Sequence, residues 1–195
     1  ARMSLNFWET PMKYGANALW LIPTTMISLL KIDRTEAGRV FCRNNIKHAF
    51  VGTAPLPNKV KQEFENSYGI QVFENYGLSE TLFITTASNQ YLTPKNSVGK
   101  PLPGIKLKII DDSGNICDYE KEGEIFVQTQ DIMTGYLNAV GGDISCVVSE
   151  DWFPTGDYGY ITKSNDLFIT GRKKDIIIRG GLNVSAKAIE EEILN

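Results

Sequence analysis

The chain has 195 residues, a formal net charge of −3 and a sequence pI of about 5.3. Its apolar fraction of 42% and charged fraction of 22% are typical of a globular protein with one large domain or two small ones. The slightly acidic balance argues against a general nucleic-acid partner or an anionic membrane surface. The longest apolar run, residues 18–30, contains Pro23 and is too short to span a bilayer.

Cysteine usage indicates a reducing compartment. Cys42, Cys117 and Cys146 are odd in number, lie far apart and lack CxxC spacing. We therefore expect reduced thiols in a cytoplasmic protein, with neither a disulfide nor a cysteine metal site. The chain starts at Ala1 rather than at a methionine and shows no signal peptide, so we expect it to be the middle of something longer.

Helix and strand signals alternate through the first half of the chain. The helix containing Val60 and Phe64 is the clearest, because these residues lie one turn apart and Gly69 follows as a C-cap. Such alternation predicts a parallel sheet, whose ligands bind beyond the carboxyl ends of the strands. Helices are predicted at 7–17, from a Thr24 or Thr25 cap to 30, at 36–43 and at 58–68, and strands at 18–22, 46–51 and 70–73.

Two polar segments follow predicted strands and therefore lie at one edge of that sheet. They are Gly52-Thr53-Ala54-Pro55-Leu56 and Glu74-Asn75-Tyr76-Gly77-Leu78-Ser79-Glu80. The second offers a ring to stack on, a glycine for close approach, a hydroxyl for a phosphate oxygen and an acid for Mg²⁺, which are the groups that a nucleotide needs. By itself, this stretch could equally be a strand that ends in a glycine turn and an ordinary Ser/Glu helix start.

After about residue 95, short strands at close spacing indicate a small antiparallel sheet or barrel. Lysine alternates with isoleucine or leucine over 105–110, as in a half-exposed strand, and a hairpin turn follows at 111–115. We expect Trp152 and Phe153 to be packing residues. Further strands are predicted at 123–128, 158–162 and 167–170, and a final helix with Ile189 and Ile193 on one face is predicted to start at Ser185.

The predicted fold class is therefore α/β, with a partial parallel sheet and its helices in the first half and a small antiparallel sheet after it. We expect residues 1–95 to belong to an α/β nucleotide-binding subdomain and residues 96–172 to form a β-rich subdomain. Residues 173–195 are expected to form a hinge and the start of a small C-terminal domain.

Five segments together resemble the adenylate-forming superfamily of acyl-CoA synthetases, luciferases and peptide-synthetase adenylation domains. They occur in the family's order and cover the chain from about residue 50 to its end. They are Gly52 to Leu56; Tyr76 to Glu80; Gly123-Glu124-Ile125 through Gly135-Tyr136-Leu137-Asn138; Thr155-Gly156-Asp157; and Thr170 to Asp175 with Gly180-Gly181.

The resemblance implies an AMP-forming acid–thiol ligase with ATP, Mg²⁺ and coenzyme A as cofactors. In the family, a carboxylate attacks the α-phosphate of Mg·ATP, pyrophosphate leaves, and a thiol then captures the acyl group of the acyl-adenylate. That step needs neutralised phosphate charge and reactants held in line. The expected partners are a small carboxylic acid, as in fatty acid metabolism, ATP and coenzyme A, without nucleic acid or a transmembrane segment.

The resemblance also implies a role for each residue of the two polar segments. Tyr76 stacks on adenine, Thr53 and Ala54 present backbone to the ring, and Glu74 or Asn75 lies near the amino group. Ser79 binds the α-phosphate and Glu80 holds Mg²⁺, so these two are the expected catalytic residues. The same nucleotide site is expected to include Pro55, Gly77, Leu78 and Ile169.

Further roles fall in the last third of the chain. Asp157 would accept hydrogen bonds from both ribose hydroxyls, and Arg172 would add a fixed positive charge at the same place. Lys174 matches the hinge about which the family's small C-terminal domain turns, and Gly180 and Gly181 match the passage of the pantetheine arm. Taken alone, Asp157 could form an Asx turn and the two glycines a tight turn. We expect Lys173 to be solvated and His48 to be structural.

Departures from the family pattern indicate which catalytic segments of the family the sequence lacks. Ser79 replaces the commoner threonine, and Asn75, Thr129, Ala186 and Lys187 also depart from the pattern. No Ser/Thr/Gly-rich loop ending in Pro-Lys and no late catalytic lysine occur in the sequence. We therefore expect a central-to-late fragment that is inactive alone, with exposed sheet edges that promote self-association.

Two classes of function remain open at this stage. The first is a fragment of an acyl-CoA synthetase, with an acyl-carrier ligase or peptide-synthetase adenylation domain as a variant. The second is a non-catalytic nucleotide-binding or scaffolding module. The sequence does not identify the acid, because that pocket is determined by shape.

Overall fold

The computed structural model describes residues 6–33, 35–88, 90–137, 144–145, 152–179, 182–185 and 189. They form two compact units, one reaching to Asn75 and the other starting at Tyr76. The predicted α/β class is confirmed, with parallel strands and helices in the first unit and an antiparallel sheet in the second. The division at residues 95 and 172 stays a prediction.

The first unit alternates helices with parallel strands, as the sequence predicts. β1 pairs with β2, and β2 pairs with β3, both in parallel register. The elements are α1 (Glu9–Lys13), β1 (Ala18–Leu21), α2 (Pro23–Ile32), α3 (Glu36–Asn45), β2 (His48–Val51), α4 (Asn58–Tyr68) and β3 (Val72–Leu78), of which residues 76–78 belong to the second unit.

The two faces of this parallel sheet differ, because successive side chains of a strand point to opposite faces. One face is buried and includes Leu19, Ala49 and Val72, which are cross-strand neighbours. On the other face, Phe50 lies between Trp20 and Phe73, with ring centroids 6.0 Å apart in each pair. The core of the unit also includes Leu21, Met26, Leu29, Cys42, Val51, Phe64 and Tyr68.

Helix ends in the first unit follow backbone chemistry. Gly69 terminates α4 with φ +65°, which confirms the predicted C-cap. The predicted cap at Thr24 or Thr25 is wrong, because α2 begins at Pro23 with Ile22 at the N-cap position and no side-chain cap. Proline favours the first helical turn, since its φ is already helical and it has no N–H to satisfy.

Asp33 is a buried polar centre that the sequence did not indicate. Its Oδ2 accepts hydrogen bonds from Trp8 Nε1 at 2.8 Å and from the Tyr68 hydroxyl at 2.9 Å. Its Oδ1 accepts from the Thr35 N–H at 3.0 Å and the Thr35 hydroxyl at 2.8 Å. Burial opposes the charged form, but these four hydrogen bonds outweigh it and lower the pKa of Asp33.

The second unit is mainly β-structure. An antiparallel sheet has the strand order β11-β10-β7-β6, and β4 pairs with β5 in antiparallel register. The elements are β4 (Leu82–Thr86), β5 (Lys100–Pro101), β6 (Lys106–Ile110), β7 (Gly123–Gln128), β8 (Tyr136–Leu137), β9 (Ile144–Ser145), β10 (Phe153–Ile161), β11 (Leu167–Arg172), a 3₁₀ turn (Lys173–Asp175), β12 (Ile176–Arg179) and β13 (Leu182–Ser185).

Its core places one predicted site residue among apolar side chains. Tyr76 packs with Ile84, Ile109, Ile125, Val127, Phe153, Ile161 and Leu167. Phe153 is thus a core residue, as predicted, and the Trp152 ring lies beneath the Lys108 ammonium at 4.3 Å.

Two strands are longer than the sequence indicates. β3 continues to Leu78, so most of the second polar segment lies within a strand rather than after one, and Ser79 and Glu80 follow in a turn, not in a helix. β10 starts at Phe153 and contains Asp157. Pairing and core packing explain both differences, since Glu74 pairs with Val51 and Pro154 with Phe126.

Several predictions fall outside the described residues. They concern Asn138, Cys146, Gly180, Gly181, Ala186, Lys187, Ile193 and the body of the final helix, while Ser185 ends β13. Among the described residues, no helix has the length and apolar character needed to cross a membrane.

Candidate functional site

A bulge in β10 determines where the Asp157 side chain points. The pairing of β10 with β7 shifts register between Pro154 and Tyr158, and Gly156 has φ +71°, a conformation that favours glycine. The Thr155 hydroxyl donates to the Ile125 carbonyl at 2.8 Å and accepts from the Asp157 N–H at 3.1 Å. Bulges of this kind re-aim side chains, and here the Asp157 side chain is only 5% exposed.

The Asp157 carboxylate binds two other predicted site residues. Its Oδ2 accepts a hydrogen bond from the Tyr76 hydroxyl at 2.8 Å. Its Oδ1 lies 2.9 Å from Arg172 Nε, on the residue that faces it across the β10–β11 pair. The carboxylate therefore does not cap a local Asx turn, because it binds side chains that are far away in the sequence.

Tyr76 is a hydrogen-bond donor at this position. Burial raises the pKa of its hydroxyl, and the adjacent negative charge of Asp157 raises it further. The phenol consequently stays protonated across the physiological range, while its ring packs in the core of the second unit.

Glu80 is held at both its main chain and its side chain by a second segment. The Met133 N–H donates to the Glu80 carbonyl at 2.8 Å, and the Tyr136 hydroxyl donates to Glu80 Oε1 at 2.7 Å. Donating to this carboxylate raises the pKa of the Tyr136 phenol. The glutamate at the end of the second polar segment is thus fixed by the segment that carries the Gly135-Tyr136 block.

The remaining predicted residues of the second unit differ in exposure. Ser79 is exposed, whereas Leu78 and Ile169 are partly buried against the core. Gly77 has a packing reason for lacking a side chain, because a Cβ there would lie 2.1 Å from the Leu82 carbonyl oxygen. Its proposed closeness to a ligand stays a prediction.

Residues of the first polar segment lie in the first unit, in the loop that follows β2. Thr53, Ala54 and Pro55 are exposed there, and Thr53 has φ +74°, a strained conformation for a β-branched residue. Within β3, the Glu74 carboxylate is paired with Lys61 of α4 at 2.9 Å. The Asn75 carbonyl oxygen would lie 3.2 Å from a Cβ at position 52, so Gly52 permits this close packing.

The basic run after β11 is exposed, and one of its lysines forms an ion pair. Lys173 Nζ forms an ion pair with Glu124 at 2.6 Å, and this hydrogen bond raises the pKa of the lysine. The side chain of Lys173 is 60% exposed, as predicted for a solvated lysine, and its ammonium also pairs with the Glu124 carboxylate. Lys174 is exposed within the 3₁₀ turn, and His48 stacks on Phe50 at 6.0 Å.

Thr155, Met133 and Tyr136 are parts of this site to which the sequence assigned no role. Thr155 and Tyr136 stand inside the segments that carry the family resemblance, so their hydroxyl groups were available as a signal. Met133 acts through its backbone N–H, which no side-chain pattern could have indicated.

The comparison with protein families agrees with this arrangement. Residues 2–137 match the family described as "AMP-binding enzyme". The chain belongs to this family. AMP-binding enzymes similar to it include a long-chain-fatty-acid–CoA ligase of Bacillus subtilis, 36% identical over 175 residues that make up 88% of this chain and 30% of the relative. A 2-succinylbenzoate–CoA ligase of Bacillus pumilus is 33% identical over 87% of this chain and 35% of its own length.

Solved structures of AMP-binding enzymes have the same fold. The o-succinylbenzoate CoA synthetase MenE of Bacillus subtilis, in complex with the acyl-adenylate intermediate OSB-AMP, matches with a TM-score of 0.81 and 29% identity. That match covers 98% of this chain and 38% of MenE. ATP-bound MatB of Rhodopseudomonas palustris matches with a TM-score of 0.79 and 29% identity over 94% of this chain and 37% of MatB. The chain thus spans about a third of the length of these relatives.

Proposed function

We propose that the complete protein is an ATP-dependent acyl-CoA synthetase that adenylates a carboxylic acid and transfers the acyl group to the thiol of coenzyme A. The observation that carries this proposal is the buried Asp157 carboxylate, held between Tyr76 and Arg172 at 2.8 and 2.9 Å. An acidic side chain fixed in this way suits the two hydroxyls of a ribose, as in dinucleotide sites.

The nucleotide is bound by both polar segments in this proposal. The ring of Tyr76 stacks on adenine, Asp157 accepts from the ribose hydroxyls, and Arg172 adds a fixed cation. Ser79 is exposed and donates to an α-phosphate oxygen. The remaining contacts to the nucleotide come from Thr53, Ala54, Pro55, Glu74, Asn75, Gly77, Leu78 and Ile169.

Glu80 is the residue that would hold Mg²⁺. The donor set fits this ion, because Mg²⁺ commonly takes one or two carboxylates and completes its shell with substrate phosphates and water. Over the described ranges, no group of three or more His, Cys, Asp or Glu residues could hold a metal, so phosphate oxygens would supply the other ligands. When bound, Mg²⁺ neutralises phosphate charge. Tyr136 keeps Oε1 of Glu80 in place, so the carboxylate would be oriented when it holds the ion.

The relatives support a proposal for the thiol acceptor and for the class of acid. Those similar to this chain are named as ligases of coenzyme A with a long-chain fatty acid, sulfoacetate or 2-succinylbenzoate. Coenzyme A is therefore the acceptor that we propose, ahead of a carrier protein. The named acids share a carboxylate and little else, which supports a carboxylic acid as the substrate class and leaves its identity open.

Other features of the complete protein belong to the same proposal. Lys174 acts as the hinge, Gly180 and Gly181 line the pantetheine path, and domains divide near residues 95 and 172. We further propose a cytoplasmic location. Self-association of the 195-residue chain through its sheet edges is also a proposal, supported by the exposed Trp20 and Leu82 side chains at 47% and 59%.

The test is acid-dependent exchange of pyrophosphate into ATP by the complete protein. A panel of fatty acids of increasing length, sulfoacetate and 2-succinylbenzoate is offered with Mg²⁺, and loss of the free thiol of coenzyme A is followed in parallel. We expect exchange with at least one acid, and thiol loss only with the acids that support exchange. AMP binding without exchange for any acid would favour the non-catalytic nucleotide-binding module, and exchange without thiol loss would favour a carrier protein as acceptor.

A further inference from the structure

The hydroxyl of Tyr76 has a function that stacking on adenine does not explain. A phenylalanine would stack as well, and it would suit a core position that is only 8% exposed. The hydroxyl instead reaches the Asp157 carboxylate at 2.8 Å, across 81 positions of sequence. This bond therefore connects a residue of the second polar segment with the residue assigned to the ribose.

The two donors on Asp157 leave a particular set of acceptor positions. An ionised carboxylate has about four lone-pair positions, two on each oxygen. Tyr76 uses one position on Oδ2 and Arg172 uses one on Oδ1. One position on each oxygen remains, which matches in number the two neighbouring hydroxyls of a ribose.

The same two donors also prevent the carboxylate from rotating. Charge-assisted hydrogen bonds are short and directional, so one on each oxygen defines the plane of the group. The Arg172 side chain is 53% exposed. Tyr76 is buried in the core, so of the two it is the donor with the more constrained position.

We propose that the Tyr76 hydroxyl is a positioning group for ribose recognition, holding Asp157 so that both of its oxygens accept from the sugar. Tyr76 then acts on two parts of the nucleotide: its ring stacks on the base, and its hydroxyl holds the carboxylate that binds the sugar. This inference rests on the proposed function. Burial and the Asp157 charge raise the pKa of the Tyr76 phenol, so the donor persists at neutral pH.

The test compares ribose selectivity in the complete protein and its Tyr76→Phe variant. Affinities for AMP and for 2′-deoxy-AMP are measured without metal by calorimetry. We expect the wild type to prefer AMP by roughly ten- to a hundredfold, the effect of one hydrogen bond to a charged group. In Tyr76→Phe this preference should fall at least severalfold, while the affinity for 2′-deoxy-AMP changes less than that for AMP.

A matched control is available on β10, the strand that carries Asp157. The Tyr158 hydroxyl donates to the Asp112 carboxylate, and Tyr158 is 7% exposed, so Tyr158→Phe removes the same kind of bond at a similar depth. This variant should keep the wild-type preference for AMP. Melting curves check that each variant folds, and if Tyr76→Phe does not, 4-fluorophenylalanine at position 76 fills the volume of the hydroxyl without donating.

Three outcomes would overturn the inference. An unchanged preference in Tyr76→Phe would mean that Asp157 needs no help from Tyr76. An equal loss of preference in Tyr158→Phe would mean that general loosening of β10 is responsible. Equal binding of AMP and 2′-deoxy-AMP by the wild type would show that Asp157 does not bind the ribose hydroxyls. Acid-dependent pyrophosphate exchange could still succeed in that case. Failure of exchange together with failure of AMP binding would instead reject the proposed function itself.

Discussion

At the level of single residues, Tyr76 and Glu80 have different partners although they are neighbours in one segment. Tyr76 binds Asp157 on β10, whereas Glu80 is held by Met133 and Tyr136. The proposed roles separate in the same way, because the first residue contacts the nucleoside and the second contacts the metal. Substitutions at the two positions should therefore give different binding signatures.

We predict that Glu80→Gln leaves metal-free AMP binding nearly intact and lowers the rate of adenylation, because Mg²⁺ is then held poorly. Tyr76→Ala should weaken AMP binding itself by about 1–3 kcal/mol, as loss of a base-stacking aromatic does elsewhere. Calorimetry with AMP and exchange kinetics over a range of Mg²⁺ concentrations separate the two effects. Equal loss of AMP binding in both variants would contradict this division of roles.

Asp33 is the residue at which we predict an effect on folding stability. All four of its partners donate, so the amide of Asp33→Asn would place an NH₂ group against N–H donors that cannot turn away. A buried donor left unsatisfied costs about 1–3 kcal/mol, and we predict a loss of unfolding free energy of this order in urea titrations at pH 7. Asp118→Asn is the control, because Asp118 is 85% exposed and its change should stay within about 0.5 kcal/mol.

The same residue predicts a pH dependence. The folded state lowers the pKa of Asp33, so its contribution is complete above the unfolded value near 3.8 and is lost as the pH falls through the folded value. The difference in unfolding free energy between wild type and Asp33→Asn should therefore be constant above about pH 5 and shrink below about pH 4. A difference that grows with acidification would show that the charged form of Asp33 is not the stabilising one.

At the level of elements, the bulge in β10 is the feature that makes the site. It places Gly156 at φ +71°, and it lets Thr155 bridge the Ile125 carbonyl and the Asp157 N–H. Without the bulge, period-2 alternation would direct residues 155 and 157 to the same face in regular register with β7. The local sequence Thr155-Gly156-Asp157 thus favours an irregular strand.

We predict that Gly156→Ala lowers stability by about 1–2 kcal/mol, because a residue with a Cβ pays for a left-handed conformation. It should also weaken AMP binding about tenfold, as the strand relaxes and Asp157 shifts from its hydrogen bonds. Gly114→Ala is the matched control, since Gly114 has φ +85° and, like Gly156, has nothing within 4 Å of an added Cβ. It should show the stability loss alone, and a similar loss of AMP affinity there would contradict the role of the bulge.

At the level of the whole molecule, the chain covers only part of the length of its relatives. It spans 30–36% of the relatives with which it shares the AMP-binding family. The residues that we assign to the nucleoside, the α-phosphate and Mg²⁺ are present in it, whereas we find no Ser/Thr/Gly-rich loop that ends in Pro-Lys and could bind the β- and γ-phosphates; Pro94-Lys95 follows a segment without glycine.

We predict that residues 1–195 alone give no measurable pyrophosphate exchange with any acid that the complete protein uses. Each missing preorganised donor costs on the order of 10²–10³ in rate, and several would be missing together. The complete protein, assayed under the same conditions, is the control. Exchange by the 195-residue chain would mean that groups within this sequence bind the outer phosphates.

Much of this protein follows from its sequence alone. Helix and strand periodicity predicted the alternating first unit and the antiparallel second one, and Gly69 marked the end of α4. The five sequence segments predicted the family, because nucleotide chemistry requires particular residue types at particular positions. These features are local, so short stretches of sequence are enough to specify them.

Tertiary structure decided how the chemical groups are combined. The bonds from Tyr76 to Asp157 and from Tyr136 to Glu80 join residues 81 and 56 positions apart, and nothing in either local sequence names the partner. The same holds for two of the partners of Asp33, since Trp8 and Tyr68 are distant in sequence, whereas Thr35 is local. Buried polar groups must find hydrogen-bond partners wherever the fold brings donors and acceptors together, and that meeting is a property of packing rather than of sequence spacing.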